Sequence, residues 1–152
     1  MNIYKLCLLA GAISLVTSSA YAQCENEEAV RRTSEKMKTY ISTNQQRQSD
    51  TFDEIMRSFE VKTDKLGWTK VQKGDFLKQM QENEQYVQFT QKLKQQQLAV
   101  TAVQEELSTK DVNGDSRRLC TVAQKYLPIF KKINELNEEL FAYMKKKIAA
   151  TK

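Results

Sequence analysis

Histidine is absent from all 152 residues, which removes the commonest general base and metal ligand. There is also no Cys-x-x-Cys pair, no glycine-rich phosphate loop and no Gly-x-Ser-x-Gly. The usual sequence signatures of redox, nucleotide and acyl-transfer chemistry are therefore missing, and no enzyme activity and no cofactor are expected. Four glycines and one proline leave few places to break a helix, and runs of β-branched residues do not occur. The chain reads as all-α. No Asn-x-Ser/Thr acceptor for glycosylation is present. The longest apolar run, residues 6–16 (LCLLAGAISLV), is well short of the ~20 residues that a membrane-spanning helix needs.

That run has a different reading. Lys5 precedes it, and Ala20-Tyr21-Ala22 follows it with small residues at the two positions a signal peptidase reads. Residues 1–22 are expected to be a cleaved signal peptide, leaving residues 23–152 as a single helical-bundle domain. The expected address is the periplasm, with extracellular secretion as the alternative. Cys7 leaves with the signal, so Cys24 and Cys120 remain as a pair in an oxidising compartment, where a disulfide is the default. Without Lys5 the chain carries 23 basic and 19 acidic residues, spread along its length. A dense basic face of the kind that binds nucleic acid is lacking, so no nucleic-acid partner is expected.

The strongest periodic signal is in the last segment. Positions 120, 123, 127, 130, 134, 137, 141, 144 and 148 keep a 3-4 spacing, and only Asn134 and Asn137 among them are polar. Leu119, Tyr126, Ile133 and Leu140 run beside this seam and widen it. The pattern predicts a helix buried by other helices. Pro128 lies inside it and predicts a kink near residues 124–127.

The first segment places Val30, Met37, Ile41, Phe52, Ile55 and Phe59 on one helical face. Its middle, residues 42–50 (STNQQRQSD), is polar all round and reads either as a solvated stretch of one long helix or as a loop capped by Thr51. The cysteines favour one long helix. A bridge needs Cα atoms within about 7 Å. With three long helices running up, down and up, Cys24 and Cys120 stand at the starts of the first and last helices, at the same end. With four alternating helices they fall at opposite ends. The expected fold is thus an elongated antiparallel, coiled-coil-like bundle of three long helices, tied by Cys24–Cys120.

Gly67 suits the end of the first helix, and Thr69 with Gln72 suits the cap of the second. Gly74 offers a second possible boundary. The second helix is expected to run unbroken to Ser108, on a period marked by Tyr86, Leu93, Val100 and Leu107. Its ten glutamines between Gln72 and Gln104 read as a solvated face. Asn113-Gly114 supplies the next reversal. Asp111, Asn113 and Asp115 resemble the start of a calcium loop, but Ser116 and Val122 stand where glycine and a bidentate glutamate are required, so no metal site is expected.

Two contact surfaces stand out. Leu66 and Trp68 form an apolar turn that inserts into a partner, unless Trp68 folds back over the helix ends. Lys145, Lys146 and Lys147 form a basic tail suited to an anionic surface, or simply to the helix dipole. Asn44, Gln48, Asn134 and Asn137 put polar groups into apolar seams, either to fix register or to line a groove. The expected function is a non-catalytic exported protein that binds another protein, as a chaperone, adaptor or inhibitor does. The alternative is an envelope-binding protein whose basic C-terminal helix meets anionic lipid or lipopolysaccharide.

Overall fold

Among residues 27–108 and 116–152, which the computed structural model describes, every regular element is an α-helix. The order is α1 Glu27–Lys65, α2 Lys70–Glu82, α3 Glu84–Ser108 and α4 Ser116–Ala149. Cys24, the segment 1–22 and the Asp111–Asp115 stretch with its Asn113-Gly114 reversal lie outside the described residues, as does the side chain of Cys120.

The polar stretch 42–50 is helix, so α1 continues unbroken for 39 residues. The second segment departs from expectation: it is two helices, broken at Asn83. Asn83 leaves α2 in an extended conformation at φ −65° and ψ 135°, and its Oδ1 accepts from the Gln85 N–H at 3.1 Å. It therefore ends α2 and caps α3. The cause lies in the apolar spacing. Met80 and Tyr86 are both buried. At 3.6 residues per turn, side chains six apart in one helix point about 120° away from each other. The break at Asn83 restores the phase. Gly74 lies within α2 and breaks nothing. The helix α4 runs through Pro128 without interruption.

The direction of packing follows from the contacts between helices. From α1 to α4, Tyr40 meets Asn134, Gln48 meets Asn137, Phe52 meets Phe141 and Lys62 meets Ile148. Both numbers rise together, so α1 and α4 run parallel. Against α3, Tyr143 of α4 takes Tyr86 and Phe89 at ring separations of 6.4 and 6.2 Å. Tyr143 stands 27 residues along α4 from Ser116, about 40 Å. The seven residues between α3 and α4 reach only about 25 Å, so α3 and α4 are antiparallel.

Thus α4 is covered from two sides. Phe141, Met144 and Ile148 of the predicted seam are buried, and so are Leu136, Leu140 and Tyr143 of a second stripe. Together with Ile55, Phe59, Met80, Tyr86, Phe89 and Leu93 they form one core. Val103, Tyr126 and Phe130 are buried further along, and burial pushes the Tyr126 phenol up to about 12, so it stays neutral at ordinary pH.

Between α1 and α4 the core is interrupted by an amide layer. Gln48 uses both ends of its side chain. Its Nε2 donates to Asn134 Oδ1, and its Oε1 accepts from Asn137 Nδ2 at 2.8 Å. Asn134 Nδ2 donates in turn to the Tyr40 hydroxyl at 3.1 Å. Gln48 and Asn137 are buried, so their hydrogen bonds are not exchanged with bulk water. Asn44 does not cross to α4. Its Nδ2 donates to Tyr40 O at 2.8 Å, and its Oδ1 accepts from Arg47, which also pairs with Glu138 at 2.7 Å.

Three variants test this account by urea unfolding. Gln48→Leu removes the bonds to Asn134 and Asn137 and should lower stability by about 1–3 kcal/mol. Gly74→Ala meets open space within a helix and should raise it by about 0.5–1 kcal/mol. Gly67→Ala should lower it by about 1 kcal/mol, because Gly67 sits at φ +71° although space is equally open there.

Candidate functional site at the lysine-rich helix ends

The turn between α1 and α2 is fixed by local chemistry. Gly67, at positive φ, lets its own N–H donate to Asp64 O and that of Trp68 to Thr63 O, both at 3.0 Å. This paired closure satisfies two of the carbonyls a helix end leaves open. One residue later Thr69 starts α2. Its N–H donates to Gln72 Oε1 at 2.8 Å, and its Oγ1 accepts from the Gln72 N–H at 3.3 Å, the reciprocal cap predicted for this pair. With two residues between Gly67 and Lys70, α2 doubles back on α1.

Three contacts hold it there. Phe76 stacks on buried Phe59 with ring centroids 5.4 Å apart. Trp68 meets the edge of Phe76 at 5.7 Å and is half-buried against the core. Lys73 Nζ reaches Glu60 at 2.5 Å and Asp64 at 2.6 Å. Hydrogen bonds to Asp64, then to Glu60, raise the Lys73 pKa, so the ammonium is fully charged at neutral pH. Trp68 is thus part of the packing, while Leu66 is 43% exposed.

The end of α4 joins this turn. Lys62 Nζ donates to the carbonyls of Ile148 and Ala149 at 3.0 and 2.6 Å, satisfying open carbonyls and placing positive charge at the negative end of the helix. Because α1 and α4 run parallel, the α1–α2 turn and the basic tail lie at one end of the molecule. The two sequence candidates are therefore parts of one surface.

Two properties of that surface were hidden in the sequence. The first is apolar exposure. Five large apolar side chains are exposed among the described residues, and Val61 (50%), Leu66 and Val71 (72%) fall within eleven consecutive positions. The second is charge. Residues 60–75 and 145–152 hold eight lysines against three carboxylates, a formal +5 that equals the charge of the whole chain. Two of those carboxylates, Glu60 and Asp64, are engaged by Lys73. Lys65, Lys70, Lys145, Lys146 and Lys152 are exposed and form no ion pair among the described residues, and Lys147 lies over the Tyr143 ring at 5.5 Å. Val61, Lys65, Val71 and Lys70 carried no signal of their own, because an isolated valine or lysine in a polar helix is unremarkable until its partners are known.

A shallow groove on the outer side of α1 adjoins this end, lined by Glu54, Arg57, Ser58, Val61, Lys62 and Lys65. One helix supplies all of its lining, so it is a surface feature rather than an enclosing pocket. Among the described residues no group of three His, Cys, Asp or Glu side chains is placed to hold a metal ion. No described helix is long and apolar enough to cross a membrane. Comparison with protein families, with curated proteins and with solved structures finds no match to this chain.

Lys62→Met removes the cap that joins the tail to α1. The last turn of α4 should then exchange its amide hydrogens faster, by roughly five- to tenfold for a loss of about 1 kcal/mol, with little change in the exchange of α3.

Proposed function

We propose that the chain is a non-catalytic exported protein that works by binding, as a chaperone, adaptor or inhibitor does, with the lysine-rich helix ends as its contact surface. One observation carries this reading: exposed Val61, Leu66 and Val71 share an end with lysines that account for the whole formal charge. Exposed apolar groups rimmed by charge are what an interaction site requires. The non-catalytic part rests on the composition, which lacks histidine and the common nucleophile motifs.

The scaffold in this proposal is a bundle of three arms, α1, α2–α3 and α4, tied by a Cys24–Cys120 disulfide. The parallel run of α1 and α4 supports the bridge. With both helices running the same way, their starts, which Cys24 and Cys120 lie near in sequence, fall towards the same end of the molecule. Export through residues 1–22 supplies the oxidising compartment the bond needs.

Two measurements test the proposal. Without reductant, Cys24 and Cys120 should resist alkylation, and reduction should lower the unfolding free energy by up to about 4–5 kcal/mol, the value for closing a loop of ~100 residues. Two freely alkylated thiols in the native exported protein would overturn the bridge. A photo-crosslinking residue at Leu66 or Val71 should capture cell-envelope material, whereas one at Leu98, equally exposed but on α3, should not. Capture from Leu98 alone would move the contact surface away from this end.

A further inference from the structure

Resting on the reading that the lysine-rich end is the contact surface, but not on its partner being a protein, we infer that this end meets an anionic phospholipid bilayer, end-on and without insertion of a helix. Leu66 and Val71 enter the headgroup layer, and the lysines around them contact lipid phosphates.

Charge complementarity is the first argument. The stretches 65–74 and 145–152 contain no carboxylate, and the nearby Glu60 and Asp64 are occupied by Lys73. Among the described residues, lysines without ion pairs come from three elements: Lys65 from α1, Lys70 from α2, and Lys145 and Lys146 from α4. Positive charge gathered from three helix ends faces a plane rather than a pocket.

The identity of the cations is the second. All eight basic residues of this end are lysine, although the chain has six arginines elsewhere. A partner with fixed carboxylates or fixed phosphates is met best by the bidentate arginine fork. A bilayer offers laterally mobile phosphates, for which a flexible point charge suffices and each lysine strengthens binding about fivefold. The apolar groups are the third argument. Leu66, in the turn, and Val71, in the first turn of α2, are aliphatic and flanked by Lys65 and Lys70, an arrangement that lets apolar tips enter while ammonium groups remain at phosphate depth.

The test is co-sedimentation of the folded, disulfide-bonded protein with vesicles of phosphatidylcholine alone and of phosphatidylcholine mixed with phosphatidylglycerol. Binding is expected to the mixed vesicles only and to weaken as salt rises. Replacing Lys145 and Lys146 with glutamine should weaken it about 25-fold, two fivefold steps. Replacing exposed Lys92 and Lys94 of α3 removes the same charge elsewhere and should leave it nearly unchanged. Leu66→Ser with Val71→Ser should remove the binding that persists at high salt; both sites are exposed, so the fold is retained, as circular dichroism would verify. Equal binding to both vesicles, binding to neither, or equal loss in the α3 variant overturns the inference. If vesicles fail to bind while crosslinkers at Leu66 and Val71 still capture protein, the contact surface stands and the partner is a protein. If those crosslinkers capture nothing as well, the contact surface falls too.

Discussion

Gln48 meets α4 with an amide, a group with one donor end and one acceptor end, and both ends are used on the same helix. A slip of α1 along α4 by one turn, about 5.4 Å, would break the bonds that buried Gln48 makes to Asn134 and Asn137. An all-apolar seam has no such penalty, because leucine-like side chains pack nearly as well one turn away. The amide layer therefore sets the axial register, and the contacts beyond it inherit that register. Phe52 reaches Phe141, and Lys62 arrives at the carbonyls of Ile148 and Ala149. The lysine-rich end exists as one surface because α1 and α4 finish together.

Much of the local structure was legible in the residues. Gly67, Thr69 and Gln72 act through hydrogen bonds within a few positions, so their roles can be read without knowing what packs on them. The seam of α4 was legible for the same reason, since periodicity is local. Residues 42–50 were not decidable locally, because their composition suits a solvated helix and a loop equally. What decides them is Gln48 finding Asn134 and Asn137, nearly ninety positions away. The Asn83 break was present in the sequence as the six-residue step from Met80 to Tyr86, but the strong period of α3 masked it. Leu136 and Tyr143 were missed because α4 is buried on two sides, and a single seam accounts for only one of them.

The proposed contact surface was legible in its parts, and its assembly was implicit in the expected up-down-up course of the helices. Leu66 and Lys145–Lys147 were visible as an apolar turn and a charged tail. That they belong together depends on the parallel course of α1 and α4. Trp68 shows the opposite limit: it is the largest apolar residue of the turn, yet its ring is held against Phe76, and the smaller Leu66 and Val71 remain outside.

The short helix α2 introduces a separate kind of behaviour. At 13 residues it is at the length where a helix in water does not persist alone. Its helicity is on loan from Phe59 beneath Phe76 and from the clasp of Lys73 on Glu60 and Asp64. A hydrogen-bonded chain bend lies at each end, at Gly67 and at Asn83. No residue of this segment belongs to the amide layer that sets α1 against α4, so a change that loosened Phe76 or Lys73 would act on α2 first. Val71 rides on the first turn of that segment, so the outline of the proposed contact surface depends on the contacts that hold α2 against α1.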